Sequence, residues 1–337
     1  MIFRQLFDNA SSTYTYVLAS RSGGEALIID PVFEQVERYL QLLDELDLKL
    51  AKAIDTHVHA DHITGLGELR DRTKCITVMG RTSNVDVVSM RVDDGDTIEI
   101  EGVWLDVMHT PGHTNDSYCF HMPDRVFTGD TLLIRGTGRC DFQHGNAVAA
   151  YNSLFNKLLA LPDDTMVYPG HDYQGNTVST IGEERAHNPR LQIKSAAEYT
   201  ELMNSLNLTN PKMMDVAVPA NQRIGVQQTS EGDDIWSVTA KTACGEISHD
   251  DVLLIDLRDS SERKRDGVIP GSVHVLYANV EAAVRPGGLV HYEAMQGGKY
   301  IMYYCAYGER SALAMKTSRD AGLFNVRHII GGLDAWK

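Results

Sequence analysis

The stretch Thr56-His57-Val58-His59-Ala60-Asp61-His62 constrains this chain more than any other. It follows an apolar run that ends Ala53-Ile54-Asp55, so the cluster is expected at the carboxyl end of a strand, where a loop can turn several side chains into one cleft. Three imidazoles and a carboxylate within seven positions are metal-ligand chemistry, because neutral imidazole and carboxylate suit divalent transition metals. A surface loop that is merely rich in histidine would account for one or two such residues. Matching ligand types recur downstream at the same kind of position, however, at His113, Asp130 and His171.

At 337 residues the chain exceeds a typical domain of ~100–200 residues, so two domains are expected, each large enough to bury a core. The net charge of -15, with Asp+Glu 46 against Lys+Arg 31, would repel a phosphate backbone, which excludes nucleic acid as a partner and argues against a nuclease. The five cysteines (Cys75, Cys119, Cys140, Cys244, Cys305) are scattered singly, without a CxxC pair, so a reducing compartment is expected rather than a disulfide framework. The N-terminus runs straight into strand-like sequence without a charged leader, and no apolar run approaches the ~18 residues of a membrane span. A soluble, cytoplasmic protein with no membrane partner is expected.

Thr15–Ala19 and Ala26–Asp30 are β-rich runs around Ser22-Gly23-Gly24, a hairpin pattern. Val36, Tyr39, Leu40, Leu43 and Leu46 recur at helical spacing before the strand that delivers the histidines. Thr64 to Arg72 reads as helix, and Ile76–Met79, Thr97–Ile100, Val103–Met108, Ser117–Met122 and Arg125–Thr128 as strands. Pro111-Gly112 forces a loop that holds His113, and Gly129 lets the strand-end Asp130 approach an ion closely. Asn146 is placed to cap a helix with the apolar stripe Val148, Tyr151, Leu154, Phe155, Leu158 and Leu159.

Four motifs in order, HxHxDH at His57 to His62, PGHT at Pro111 to Thr114, GDT at Gly129 to Thr131 and GH at Gly170-His171, resemble the metallo-β-lactamase superfamily. The resemblance covers roughly the first two-thirds of the chain and implies an αβ/βα sandwich. Superfamily membership leaves the reaction open, but the flanking stretches Thr131 to Gln143, Tyr168 to Thr180, Glu183 to Leu191 and Val218 to Arg223 resemble the persulfide dioxygenases. That implies one Fe(II) per chain, with glutathione persulfide and O2 as substrates and sulfite and glutathione as products. By the same resemblance His57, His113 and Asp130 are the iron ligands, a facial set that leaves coordination positions open. His59, Asp61, His62 and His171 become supporting residues that fix tautomers and orient the ligands. Where Thr137 stands some relatives have cysteine, so any role of that cysteine cannot apply here.

Arg139, Tyr173 and Arg190, with Asn221 and Arg223, match positions of the family's glutathione pocket. Arginine suits an anionic tripeptide because its planar fork pairs bidentately with carboxylate. Surface ion pairing for the arginines and packing for Tyr173 are the plainer alternatives. Cys140, beside this pocket, reads as a small buried hydrophobe.

Gly225 to Ser237 is polar and glycine-containing, as a linker should be, which places the domain boundary between residues 228 and 229. Beyond it, Asp251–Leu257 and Tyr300–Tyr304 are apolar runs of parallel-sheet type, Ser311 to Ala321 reads as a helix stopped by Gly322, and Val326–Ile330 is a last strand. Cys305 opens a strand-to-helix loop where backbone N–H groups and a helix N-terminus favour thiolate. The loop CAYGER, with DLRDSSER at Asp256 to Arg263, GVIPGSV at Gly267 to Val273 and the terminal GGLDAW, resembles the rhodanese (sulfurtransferase) domains. By that resemblance Cys305 carries a persulfide, Arg310 stabilises the anionic donor or acceptor, and the fold is a small doubly wound α/β domain.

Three functions follow: a fused persulfide dioxygenase and sulfurtransferase acting on glutathione persulfide, thiosulfate or sulfite; a dinuclear zinc glutathione thioesterase; and a non-enzymatic sulfane-sulfur carrier. The first is preferred because Leu132-Leu133-Ile134-Arg135 departs from the thioesterase pattern and neither site has lost a chemical residue. A homodimer is compatible with this reading.

Overall fold

Thr13–Ala19 is buried along its whole length, and a strand buried on both faces belongs inside a sheet covered on both sides. By contrast Val103–His109 alternates, with Val103, Leu105 and Val107 buried and Trp104 and Asp106 exposed, the period of a strand with one face in water. The computed structural model describes residues 1–206, 208–209, 211–226, 228 and 235–337. Most of the expected linker and the expected boundary between 228 and 229 fall outside those residues. The chain divides into two units, Met1–Asp86 with Arg91–Ile224, and Val87–Met90 with Gly225–Lys337.

The first unit holds two six-stranded sheets. One runs Ile2–Asp8, Thr13–Ala19, Glu25–Ile29, Lys49–Ile54, Ile76–Gly80 and Met90–Val92 in sequence order; the other runs Ser179–Thr180, Met166–Pro169, Arg125–Gly129, Tyr118–Met122, Val103–His109 and Thr97–Ile100. Aromatic side chains fasten sheet to sheet. Phe3 and Tyr16 of one meet Phe127 and Tyr168 of the other, with ring centroids 4.9 Å apart for Phe3 and Tyr168 and 5.0 Å for Tyr16 and Phe127. Each such ring contributes roughly 1.5–3 kcal/mol through burial, and the Tyr16 hydroxyl donates to the Pro169 carbonyl at 2.6 Å.

The hairpin, the Val36–Glu45 helix and the strands delivering the motif loops lie where expected. The stripe from Val148 to Leu159 is different. Asn146 caps Ala147–Asn152 by accepting from the Ala149 N–H, but Ser153–Lys157 forms a wider π turn and Leu158–Ala160 a tighter one. The wide turn resets the helical phase, so Leu154 and Leu158 are buried while Val148 stays 48% exposed.

In the second unit five strands form one sheet in the order Ser237–Val238, Val326–Ile329, Tyr300–Tyr304, Val252–Asp256, Val273–His274, and every pairing is parallel. Parallel neighbours need crossover connections, supplied here by helices that include Ala240–Glu246, Ser260–Asp266, Leu289–Met295 and Glu309–Asp320. The helices pack in two groups, Val280–Val284 with Leu289–Met295 and Glu309–Asp320, and Ala240–Glu246 with Gly332–Trp336. That is the α/β arrangement expected of this half.

Candidate metal centre and cysteine loop

Each candidate ligand follows a strand: His57 after Lys49–Ile54, His113 after Val103–His109, Asp130 after Arg125–Gly129 and His171 after Met166–Pro169. The last two strands are parallel neighbours that end side by side, with Gly129 opposite Pro169 and the Gly170 N–H donating to the Gly129 carbonyl at 2.7 Å. Gly129 sits at φ +47°, and a Cβ there would come within 2.6 Å of Thr56 Oγ1. Only glycine lets the Asp130 strand end pass the histidine loop so closely.

Ligand atoms of His57, His113 and Asp130 lie within 4.8 Å of one another. Hydrogen-bond partners settle both ring tautomers. The Thr56 hydroxyl donates to Asp30 Oδ2 at 3.0 Å, so toward His57 Nδ1, 2.9 Å away, it can only accept. His113 Nδ1 lies 2.7 Å from the Arg139 carbonyl, again an acceptor. Both rings therefore carry hydrogen on Nδ1 and leave Nε2 as the nitrogen available to a metal, that of His113 lying 3.6 Å from Asp130 Oδ2. Burial, then the neighbouring His59 and His113, push His57 well below its ordinary pKa, keeping it neutral. Burial works against charge on Asp130, yet His171 above all, through its charge and its hydrogen bond, holds the carboxylate below the usual range. Two imidazoles and one carboxylate are a donor set that fits a divalent transition metal.

The companion residues surround this set. His171 lies between two carboxylates, Nδ1 at 2.6 Å from Asp130 Oδ1 and Nε2 at 2.8 Å from Asp61 Oδ2. Burial disfavours its charge, but Asp130 and Asp61 raise its pKa well above the ordinary value. Asp61 also meets His62 Nδ1 at 3.0 Å, and Thr13 Oγ1 sits among Asp61, His62 and His171. His59 Nε2 lies 3.1 Å from Asp30 Oδ1, and although burial opposes it, Asp30 raises the ring to about 9. His59, Asp61 and His62 form a second group able to hold an ion, and His59 Nδ1 and His62 Nε2 have no hydrogen-bond partner among the described residues.

A cavity of about 310 Å³ opens at His57, His113, Asp130 and His171. Arg139, Tyr173 and Arg190 line it; Asn221 and Arg223 do not. Arg139 is already engaged, by Asp141 through two 2.6 Å hydrogen bonds and by the Thr209 carbonyl at 2.6 Å, with its guanidinium 4.8 Å above the Phe142 ring. Arg135, also on the wall, pairs with Glu183 and Glu184. Arg190 bonds the carbonyl and hydroxyl of Thr137 and, among the described residues, has no carboxylate partner. Of the two arginines, Arg139 has its fork occupied by Asp141 and Arg190 does not. Tyr173 is 72% exposed and stacks on His171 at 6.1 Å.

Asn221 is fully buried: its amide donates to the His59 and His62 carbonyls at 2.9 Å each and accepts from the Thr64 N–H at 2.9 Å. It braces the histidine loop and has no hydrogen left for a substrate. Arg223 is exposed and away from the cavity. Burial, with Asp141 adding, pushes the Cys140 thiol up to about 12, the behaviour of a packed hydrophobe rather than a nucleophile.

In the second unit Cys305 follows Tyr300–Tyr304 and is fully buried, with Sγ accepting from the Gly308 N–H at 3.1 Å. Gly308 has φ +90°, and the helix Glu309–Asp320 starts immediately after it. Arg310 departs from the expected substrate contact. Both terminal nitrogens bond the buried Glu262 carboxylate at 2.7 Å. Burial opposes its charge, but Glu262, with a further contribution from Cys305, raises its pKa. Glu262 also closes the capping box of Ser260–Asp266 by accepting from the Asp259 N–H at 2.9 Å. Arg310 is held as one half of a buried pair beside the cysteine.

Comparison with known proteins matches the two parts of the chain to two families. Residues 8–85 and 83–171 match the metallo-beta-lactamase superfamily, and residues 239–337 match the rhodanese-like domain. The mitochondrial persulfide dioxygenase ETHE1 of Mus musculus is 46% identical over 230 residues, covering 67% of this chain and 90% of that protein. The chain belongs to the persulfide dioxygenase family of the metallo-β-lactamase superfamily. The crystal structure of ETHE1 from Myxococcus xanthus is 52% identical, with a TM-score of 0.65 over 66% of this chain and 98% of that one. A metallo-beta-lactamase of Staphylococcus aureus subsp. aureus COL covers 98% of this chain and 97% of its own at 23% identity and TM-score 0.62, a likeness of fold. A persulfide dioxygenase domain joined to a rhodanese domain has a role in sulfur metabolism, and its first domain has a metal site with His and Asp ligands. No helix among the described residues is long and apolar enough to cross a membrane.

Some residues that shape the persulfide dioxygenase domain's metal site escaped sequence reading, and Asn221 is named there for a different role. Thr13, Asp30 and Asn221 are 44, 27 and 159 positions from His57, His57 and His62 respectively, and only folding brings them to the loop. Asp30 offered one sign, an acid ending an apolar strand before Pro31, and its φ of +52° shows how sharply the chain turns there. Glu262 offered another: it lies three positions after Asp259, the spacing of a capping box.

Proposed function

We propose that the first unit oxidises glutathione persulfide with O2 at one Fe(II) held by His57, His113 and Asp130, and that the second unit passes sulfane sulfur through Cys305. The overall reaction balances as GSSH + O2 + H2O giving GSH, sulfite and two protons. The observation that carries the reading is the gathering of ligand atoms of His57, His113 and Asp130 within 4.8 Å of one another beside the cavity. Bound there, iron would supply open positions where sulfur and O2 react together.

The chain's own residues do the rest. Thr56, backed by Asp30, and the Arg139 carbonyl keep the two imidazoles turned to the site. His171 orients Asp130 by holding Oδ1. Leu133, Ile134 and Phe142 on the cavity wall exclude water, and Arg190 pairs with a carboxylate of the tripeptide. In the second unit the Cys305 thiolate takes the outer sulfur of thiosulfate and releases sulfite. Attack by glutathione thiolate then forms glutathione persulfide and frees Cys305. The scattered single cysteines suit a reducing, cytoplasmic setting.

Metal content and O2 uptake on adding glutathione persulfide test the reading together. One iron per chain with stoichiometric uptake is expected. Two zinc ions without uptake would transfer the assignment to a dinuclear thioesterase that also uses the His59, Asp61 and His62 group.

A further inference from the structure

We infer that His328 is a positioning residue for Cys305, acting through the hydroxyl of Ser311. The inference rests on the proposed role of Cys305 as sulfur carrier. Ser311, in the first turn of Glu309–Asp320, places Oγ 3.8 Å from Cys305 Sγ, 3.4 Å from His328 Nδ1 and 3.0 Å from the Gly308 carbonyl. The other ring nitrogen of His328 lies 3.1 Å from Ser237 Oγ. All four side chains are almost entirely withdrawn from water.

The sheet fixes this arrangement. His328 lies in Val326–Ile329, opposite Tyr303 of the strand that delivers Cys305 and opposite Ser237 of the edge strand. A histidine among Ile301, Tyr303 and Ile329 loses hydration on burial, a cost that hydrogen bonds at both ring nitrogens offset. Those bonds have a directional consequence. The Ser311 hydroxyl has one hydrogen and three neighbours that can accept it: the Gly308 carbonyl, the sulfur, and Nδ1 if that atom bears a lone pair. With hydrogen on Nδ1, His328 donates to Ser311 and Nε2 accepts from Ser237. The serine hydrogen then goes to the Gly308 carbonyl, which leaves an Oγ lone pair facing Cys305 Sγ to accept from the thiol. Without that donor the Gly308 carbonyl alone holds the hydroxyl, and the side-chain contact made by the sulfur is less sharply placed.

The role follows from the chemistry of a two-stroke carrier. Cys305 must present Sγ to the donor and then its outer sulfur to the acceptor, and an oriented hydroxyl beside Sγ restricts the side chain to the productive geometry in both strokes.

The test uses the full chain, with thiosulfate as donor and cyanide as acceptor, following thiocyanate release and the one-sulfur mass gain on the Cys305 peptide. His328→Phe and Ser311→Ala are each expected to lower kcat about tenfold, with the KM for thiosulfate changed by less than about twofold. The double variant should be no slower than either single, because both remove one device. His328→Asn, which keeps an amide N–H near the place of Nδ1, should restore most of kcat. Wild-type kcat in His328→Phe, or losses that multiply in the double variant, would overturn the inference. If circular dichroism shows His328→Phe unfolded, Ser237→Ala decides: it retains the ring, and kcat should fall about threefold, an unchanged kcat overturning the proposal. A wild-type chain that gains no sulfur on Cys305 removes the carrier reading and this inference together. Loading at the normal rate in all variants removes the inference alone.

Discussion

The two candidate sites manage buried charge in opposite ways. Around His57 the fold gathers carboxylates at Asp30, Asp61 and Asp130 and sets imidazoles against them, with the hydrogens of His57 and His113 placed by Thr56 and the Arg139 carbonyl. The arrangement leaves Nε2 of His57 and of His113 and one face of Asp130 directed to a cavity, a set completed by a cation. Around Cys305 the charges are closed on each other: Arg310 and Glu262 pair through two hydrogen bonds of 2.7 Å, and the thiol is backed by the Gly308 N–H. A metal site must keep its donors uncommitted, whereas a nucleophile's loop must keep its charges committed so that only sulfur reacts.

The largest test of that contrast is Asp130→Ala, which removes one of three proposed ligands and the site's charge. Iron content should fall from one per chain to near zero and O2 uptake by more than about a thousandfold; full occupancy with retained uptake would refute the facial set. Cys305→Ser comes next, on the other side of the comparison. It should abolish O2 uptake driven by thiosulfate plus glutathione while sparing uptake with added glutathione persulfide, since a hydroxyl cannot form a persulfide. If wild-type protein shows no thiosulfate-driven uptake, the two activities are not coupled in that direction.

Glu262→Gln leaves the Arg310 guanidinium buried without its counter-charge. A loss of about 3–5 kcal/mol is expected, read as a lower melting temperature of the second unit with metal content unchanged. Asn221→Ala is the corresponding change in the first unit, stripping donors from the His59 and His62 carbonyls. About 1–3 kcal/mol should be lost, together with roughly 10–100-fold in metal affinity, measured by competition with a chelator. The smallest effect separates two arginines. Arg190→Ala should raise the KM for glutathione persulfide about tenfold, and Arg139→Ala by about threefold or less, because Asp141 already occupies its fork. Equal effects would restore Arg139 as the anchor.

The metal-centre motifs were legible because ligand chemistry is short-range in sequence: His57 to His62 lie on one loop, and each further ligand follows its own strand. Burial and pairing were not legible. Nothing near Arg139 announces that Asp141 binds it rather than facing away, and nothing near Arg310 names Glu262, 48 positions earlier. Asn221 misled for a related reason. A polar residue in a motif resembling a binding pocket can equally be a brace, and the decision depends on which carbonyls folding brings beneath it. The π turn at Ser153–Lys157 escaped because a steady apolar period in sequence assumes a steady helix.

Adjacent parallel strands ending at Asp130 and His171 have a further consequence for how such a protein can diversify. The chain between those strands, residues 131–165, supplies Leu133 to Arg139 and Phe142 to the cavity wall, while the spacing of Asp130 and His171 is set by sheet hydrogen bonds that the excursion does not make. Changing the side chains of Leu133, Ile134 and Phe142 would reshape which molecule is admitted, whereas Gly138, where a Cβ would press on the Asp130 carbonyl and His113, and Arg139, whose carbonyl holds the His113 ring, belong to the metal site itself. Specificity and reactivity thus interleave along one excursion, and a library confined to Leu133, Ile134 and Phe142 is the natural place to seek new substrates.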